Sequence, residues 1–512
     1  MKNVLELLEN NAMRFPDKTA FADDRESLDW KGVRALSEKI GTAVVHRAEA
    51  YRRPVAVLMP RGCAMICAML GAVYAGGFYT VVDSEMPAER AANVLNTLKP
   101  AAIIAHGDLA ENAGKILALC GLDIPVIIYS MAVEENADAD ALAKVRNMQT
   151  ASDPLYALFT SGSTGNPKGA VISHSNVLHY SKWFVDSFGI DENTVFGNQT
   201  PFYFSMSVSD IYATLRTGAT LNVIPKVLFS FPIKLIEFLN ERMVNTIYWV
   251  PSALSIIANW KVLDYSMTQY VNKVLFAGEV MPVRQLTYWR RKLPEAMFAN
   301  LFGPTETTDI CTYYVVDREF SEGETLPIGR HCDDCRVFVI KEDGTEASLP
   351  GEEGELYAAG PFVALGYYNN PEKTAAAFVQ DPLNSAYPEK VYKTGDLVRI
   401  GDRGELLYIS RKDFQIKHMG YRIELGEIEA AAAAAENVAA SVALYDKEAD
   451  DLVVVYQGKL KEDAMREALS QRLPVYMMPR VIVKVKNMRY NQNGKIDRVW
   501  LSANYKDLAS NA

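Results

Sequence analysis

Between Phe159 and Gly169 the chain reads Phe-Thr-Ser-Gly-Ser-Thr-Gly-Asn-Pro-Lys-Gly, and nine of these eleven residues are Gly, Ser, Thr, Lys or Pro. Gly162, Gly165 and Gly169 let backbone N–H groups close on an anion where a β-carbon would obstruct them. Thr160, Ser161, Ser163 and Thr164 add hydroxyl donors, and Lys168 adds a point charge. That chemistry suits phosphate. The loop is not Walker A, which needs G-x-x-x-x-G-K-[ST]: here Pro167 precedes Lys168 and Gly169 follows it. A flexible linker is disfavoured too, because apolar runs flank the loop (Leu155 to Phe159, Ala170 to Ile172).

Three further segments carry polar groups on turns. Asn300-Leu-Phe-Gly-Pro-Thr-Glu-Thr-Thr308 sets Phe302, an aromatic able to stack a base, near Thr305 and Glu306, the latter a hard oxygen ligand suited to Mg2+. Tyr392-Lys-Thr-Gly-Asp396 puts a carboxylate just past a glycine, where it could accept from vicinal ribose hydroxyls. Asn491-Gln-Asn-Gly-Lys495-Ile-Asp-Arg498 holds one Lys on an Asn-Gly turn. Taken singly each is an ordinary turn or hairpin tip. Their joint occurrence in one chain is not.

The elements that must position these residues follow from the apolar pattern. From Pro54 to about residue 300, short apolar runs (Pro54 to Met59, Phe78 to Val82, Ala101 to Ala105, Pro125 to Tyr129, Ile247 to Val250, Lys273 to Phe276) alternate with helix candidates at Ala64 to Ala75, Ala88 to Leu98 and Ile233 to Arg242. Such alternation predicts an α/β fold with parallel sheets covered on both faces. Residues 326 to 410 read as a β-rich subdomain. After Arg411 an α+β module follows, with helices at Glu427 to Glu436 and Lys461 to Arg472 and strands at Ser441 to Tyr445, Leu452 to Gln457 and Val481 to Val485. The expected division is 1–411 and 412–512, with a short charged junction at Lys412-Asp413. At 512 residues, more than one domain is expected.

A net charge of −10 with interspersed signs and no basic stripe argues against nucleic acid. Residues Met1 to Asn10 read as an amphipathic helix rather than a signal peptide, and no apolar run approaches the ~20 residues that span a bilayer, so a cytoplasmic, non-spanning protein is expected. Six cysteines do not make a disulfide framework at this length; Cys63 and Cys67 are expected on one buried helix. His331-Cys-Asp-Asp-Cys335 lacks a second ligand pair and reads as a loop.

The order of the four motifs, with Arg411-Lys-Asp413 and Gln415-Ile-Lys-His-Met-Gly-Tyr-Arg-Ile-Glu-Leu-Gly-Glu-Ile-Glu429, resembles the adenylate-forming superfamily of acyl-CoA ligases, luciferase-like enzymes and peptide-synthetase adenylation domains. The resemblance spans essentially the whole chain. Within the superfamily, Asn198 to Tyr212 and Asp413 to Arg422 are most similar to stand-alone amino-acid-activating enzymes of the D-alanine ligase kind. The resemblance implies ATP and Mg2+, a small carboxylic or amino acid activated as acyl-adenylate, and transfer to the phosphopantetheine arm of a separate carrier protein, with coenzyme A as the alternative acceptor.

By matching position it implies that Thr160, Ser161, Gly162, Ser163, Thr164, Gly165 and Lys168 hold the β- and γ-phosphates, with Phe302, Gly278 and Glu279 at the adenine. Thr305 would contact the α-phosphate, Glu306 the Mg2+, and Asp396 and Arg411 the ribose. Lys495 would bridge the reacting anions, and Asp413 would be the hinge of a mobile C-terminal domain that also presents Lys417 to Gly420 to the thiol. Phe204, Ser205, Ala277, Leu301 and Asp309 would line the acyl pocket. Several positions depart from such relatives: Ser205 stands where an ammonium-binding Asp is usual, Ala277 where D-alanine ligases carry Cys, and Phe302 where Tyr is more usual, which keeps the stacking face but removes a hydroxyl. Either another carboxylate supplies the counter-charge or the substrate lacks an α-amine; Asp309, where an apolar residue is common, is the candidate carboxylate, for an amine placed differently on the substrate, against the alternative of a capping or solvent-facing Asp.

Overall fold

The computed structural model describes residues 1–160, 167–412, 415–490 and 496–510. Of the residues singled out above, Ser161, Gly162, Ser163, Thr164, Gly165, Asp413 and Lys495 lie outside the described residues.

Two large sheets carry the first 330 residues. In one, Phe78–Val81, Pro54–Leu58, Ala102–Ala105 and Val126–Ile128 run parallel, and Pro154–Thr160 joins Phe78–Val81 in the same sense. In the other, the parallel block runs Met297–Phe302, Lys273–Ala277, Thr246–Trp249, Val195–Asn198, Thr220–Val223, Thr19–Ala22. Pro54–Leu58, Phe78–Val81 and Thr246–Trp249 are buried at every residue, which is why they read as unbroken apolar runs. Helices cover both faces. Cys63–Tyr74 buries Cys63 and Cys67 as expected, and His174–Phe188 opens with a capping box in which Ser173 and Asn176 satisfy each other's backbone N–H.

Lys168–Ser173 breaks the parallel pattern. It folds back antiparallel on Pro154–Thr160, setting Lys168 opposite Thr160. The β-rich part is an antiparallel sheet around Lys390–Ile400, which pairs with Glu353–Ala359, Phe378–Gln380 and Leu406–Arg411.

Beyond it the hairpin Gln415–His418/Tyr421–Glu424 precedes a three-stranded sheet of Val438–Asp446, Asp451–Gly458 and Val481–Val485. Residues from 416 to 508 form apolar clusters of their own. The alanine-rich helix is Leu425–Ala433, shorter at its C-terminus than the composition suggests. Asn437, at φ 65°, turns the chain into the strand starting at Val438, and that reversal overrides alanine's helix preference. Among the described residues no helix is long and apolar enough to cross a membrane.

Candidate active site

The ends of these strands converge on one cavity of about 650 Å3, walled by Thr160, Thr305, Asp309, Asp396 and Arg411 from the larger part and by Lys417 and Arg422 from the hairpin after it. Asp396 and Arg411 face each other across neighbouring strands, with Arg411 Nη1 donating to Asp396 Oδ1 at 3.0 Å. Arg411 Nη2 donates to the Thr394 carbonyl at 3.1 Å, which fixes the guanidinium against the Gly395 turn.

Behind them Glu306, fully buried, carries the densest charge cluster. Its Oε1 accepts from the Tyr367 hydroxyl at 2.6 Å and lies 3.4 Å from Lys168 Nζ, while Oε2 accepts from Arg422 Nη1 at 2.8 Å. Burial alone would push the Glu306 carboxyl up, but Arg422 and Lys168 outweigh it and hold the group well below the usual carboxylate range. Lys168 moves the other way. Burial, reinforced by the neighbouring Arg422, lowers it to about 8 despite Glu306. Thr160 Oγ1, at the mouth of the phosphate-binding candidate, is buried with no partner among the described residues.

The 303–311 segment is held in a conformation few sequences allow. A β-carbon on Gly303 would lie 2.5 Å from the Asp309 carbonyl oxygen and the Ile310 Cα, so only glycine admits the crossing. Thr308 sits at φ 69°, unusual for a β-branched residue, and its hydroxyl donates to the Phe362 carbonyl at 2.7 Å. The constraint delivers Asp309 to the cavity wall, where Oδ2 accepts from Ser209 Oγ at 2.9 Å, Tyr248 OH at 3.0 Å and Tyr180 OH at 3.1 Å. Burial pushes the Asp309 carboxyl up to about 6, against the hydroxyl bonds that lower it. Ser205 lies between this carboxylate and Thr305, whose Oγ1 is 3.4 Å from Ser205 Oγ.

The C-terminal hairpin is seated on the site. Gly420 N donates to Glu279 Oε1 at 2.5 Å, Lys417 Nζ stands 4.6 Å from the Phe302 ring centroid, and Tyr421 meets Phe204 edge-on at 4.7 Å. Gly278 and Ala277 lie on the cavity wall. Leu301 and Phe302 do not: both are buried in the same core cluster. Tyr367, Tyr180, Tyr248 and Ser209 were not singled out by sequence. Each sits in an ordinary strand or helix; Ser209 lay within the Asn198 to Tyr212 stretch and Tyr248 within the apolar run Ile247 to Val250, neither with a role of its own.

With this geometry in view, the family is plain. The family model described as AMP-binding enzyme matches residues 8–368, and the chain belongs to that family. It is an ATP-dependent acid–thiol ligase. The chain is 33% identical over 515 residues to a D-alanine–D-alanyl carrier protein ligase of Bacillus cereus (strain AH187), covering 97% of this chain and 98% of the relative. A Bacillus anthracis protein of the same name (strain CDC 684 / NRRL 3495) is 33% identical over 514 residues with the same coverage. Among solved structures, the Vibrio cholerae adenylation domain AlmE in complex with glycyl-adenosine-5'-phosphate superposes with a TM-score of 0.84 at 20% identity, covering 98% of both chains. An NRPS protein containing adenylation and PCP domains, bound to a vinylsulfonamide inhibitor, gives 0.84 at 22% identity, covering 98% of this chain and 84% of that one. At those identities the two structures establish the fold.

Proposed function

We propose that this enzyme joins a small, amine-bearing carboxylic acid to AMP and then hands the acyl group to the phosphopantetheine thiol of a separate carrier protein, in the cytoplasm. The observation that carries the reading is one cavity lined by Thr305 and the Asp396–Arg411 pair, with the buried Lys168–Glu306 pair joined to its wall through Arg422. The names of the Bacillus relatives support an amino acid as substrate and a carrier protein as acceptor.

The substrate carboxylate attacks the α-phosphorus of ATP and pyrophosphate leaves. The thiol then attacks the adenylate carbonyl and AMP leaves. Both steps need aligned reactants and stabilised charge more than a general base. Lys168 and the Thr160 hydroxyl bind the departing phosphates, Thr305 donates to the α-phosphate, and Asp396 with Arg411 orients the ribose. Glu306 is a buried hard oxygen donor, and a lone carboxylate completed by phosphate oxygens is how Mg2+ is commonly held, so this donor set fits the ion. Mg2+ there would offset the charge of the phosphates. With the hairpin seated, Arg422 is the cation that balances Glu306. In this reading residues 412–512 form a mobile domain hinged at Asp413: one orientation brings Lys495 to the reacting anions, and the other seats Lys417 to Gly420 on the site to receive the thiol.

Ser205, which lacks the charge to bind an α-ammonium, favours a second reading, a small-acid CoA ligase. Pyrophosphate exchange into ATP, measured with amino acids and with simple acids, followed by transfer to holo-carrier protein or to CoA, separates the two. Exchange with no acid would end both.

A further inference from the structure

Asp309 is a buried carboxylate without a cation. Its side chain lies inside the molecule on the cavity wall, and among the described residues no Lys, Arg or His forms an ion pair with it. Three hydroxyls from three elements hold Oδ2 in place: Tyr180 from His174–Phe188, Ser209 from Met206–Thr217 and Tyr248 from Thr246–Trp249. Hydroxyls orient a carboxylate but do not neutralise it, and an uncompensated buried charge is costly. The neighbouring acid, Asp210, supplies no counter-charge, and burial raises its carboxyl to about 8. The molecule nonetheless holds Asp309 in position through the constrained backbone at Gly303 and Thr308. The absent partner is a cation that arrives from the cavity.

The surroundings favour an ammonium. Among the described residues no group of three or more His, Cys, Asp or Glu is arranged to hold a metal ion, whereas one carboxylate ringed by hydroxyl oxygens offers acceptors for several N–H donors. Its depth sets where that ammonium sits on the substrate. The acid's carboxyl must reach the α-phosphate beside Thr305, and the Ser205 hydroxyl stands between Thr305 and Asp309, close enough to Asp309 to favour its charge. Next to Thr305 the uncharged Ser205 hydroxyl comes first and Asp309 lies beyond it, so an ammonium paired with Asp309 is carried further along the substrate than an α-amine. The two tyrosines that bond Asp309, Tyr180 and Tyr248, pack on Phe184 and do not line the cavity, which favours an ammonium at the end of the substrate chain.

Resting on the adenylation reading above, we propose that Asp309, held by Tyr180, Ser209 and Tyr248, is the specificity determinant for a short ω-amino acid whose terminal ammonium lies beyond the α-carbon. The class is that of β-alanine and 4-aminobutyrate rather than glycine or D-alanine.

Pyrophosphate exchange into ATP with β-alanine, 4-aminobutyrate, glycine, D-alanine and propionate tests this on the full chain. Wild type should favour an ω-amino acid over glycine and D-alanine. Asp309→Asn should lower kcat/KM for that acid by about 10²-fold, as loss of one member of a buried charge pair does, and affect propionate far less, so that the ratio between the two acids collapses. Should Asp309→Asn not fold, Tyr248→Phe removes one of the hydroxyls and should weaken the ω-amino acid selectively, again sparing propionate. Preference for glycine or D-alanine, or equal loss with charged and uncharged acids, overturns the assignment while leaving adenylation intact. Absence of exchange with every acid, propionate included, overturns adenylation and the assignment with it.

Discussion

Lys168 and Glu306 show how one buried cluster sets both stability and pH response. Lys168 is lowered to about 8 from an ordinary 10.5 by burial and by Arg422, with Glu306, Glu424 and the Tyr367 hydroxyl facing it. A depressed lysine favours the neutral form in the folded state, so above pH 8 the nucleotide-free enzyme loses the charge it needs for phosphate. The KM for ATP is therefore expected to rise between pH 7.5 and 9 in steady-state assays. Lys168→Arg, which stays charged, should flatten that rise even if its overall activity is lower. Glu306 works in the opposite sense. Its carboxyl is held below its ordinary 4.5 by Arg422 and Lys168, against burial, so its contribution to stability is present above 4.5 and is lost as pH falls through the folded value. Glu306→Gln strands a buried guanidinium. It should destabilise the fold by about 3–5 kcal/mol in a denaturant titration and reduce pyrophosphate exchange on the order of 10²–10³-fold. Replacing Arg422 by Met in the same chain should restore much of the stability without the activity, because the stability loss comes from the unpaired charge and the activity loss from the missing carboxylate.

The hairpin Gln415–His418/Tyr421–Glu424 is the element whose position links the two half-reactions. Gly420 sits at φ 79°, and a β-carbon there would meet Val250 Cγ1 at 2.5 Å, so the hairpin seats only because this residue is glycine. Gly420→Ala is expected to leave pyrophosphate exchange near wild type and to slow thiol transfer. Val250→Ala in that background should recover part of the transfer by opening the space. Single-turnover measurement of each half-reaction checks both. Much of this architecture could be read before any coordinates. Ala88–Leu98 and Val481–Val485 match residue for residue, and the strands at 54, 78, 102 and 273 differ at one end by a residue, because strands buried on both faces leave continuous apolar runs. The antiparallel return at Lys168–Ser173 was less visible, since an apolar run does not state its direction. Tyr367 and Arg422 were given no role because their partner, Glu306, is 61 and 116 residues away, and nothing local marks a tyrosine or arginine that closes on so distant a carboxylate.

At the scale of the molecule, a second buried ion pair ties residues 412–512 to the rest, and its arginine lines the same cavity. Arg90, on Ala88–Leu98, donates from Nη1 to Glu427 Oε1 on Leu425–Ala433, with both side chains almost wholly buried. The pair is incompletely satisfied: Arg90 Nε and Glu427 Oε2 have no partner among the described residues, and burial raises the Glu427 carboxyl despite the opposing pull of Arg90. An ion pair whose desolvation is only partly offset holds two bodies in register without locking them, which suits a contact that must break once per turnover if the C-terminal domain swings as proposed. Glu427→Gln should therefore weaken the seated arrangement selectively, slowing thiol transfer while pyrophosphate exchange holds or rises. Arg90→Met leaves Glu427 as a lone buried acid and should do the same more severely at neutral pH. Since the Glu427 carboxyl lies above its ordinary value, acidification protonates it sooner than an exposed glutamate, and the Arg90→Met defect should ease as pH is lowered while that of Glu427→Gln does not. If both variants slow exchange and transfer equally, the contact serves folding alone and the hairpin is seated by Arg422 and Gly420 without it.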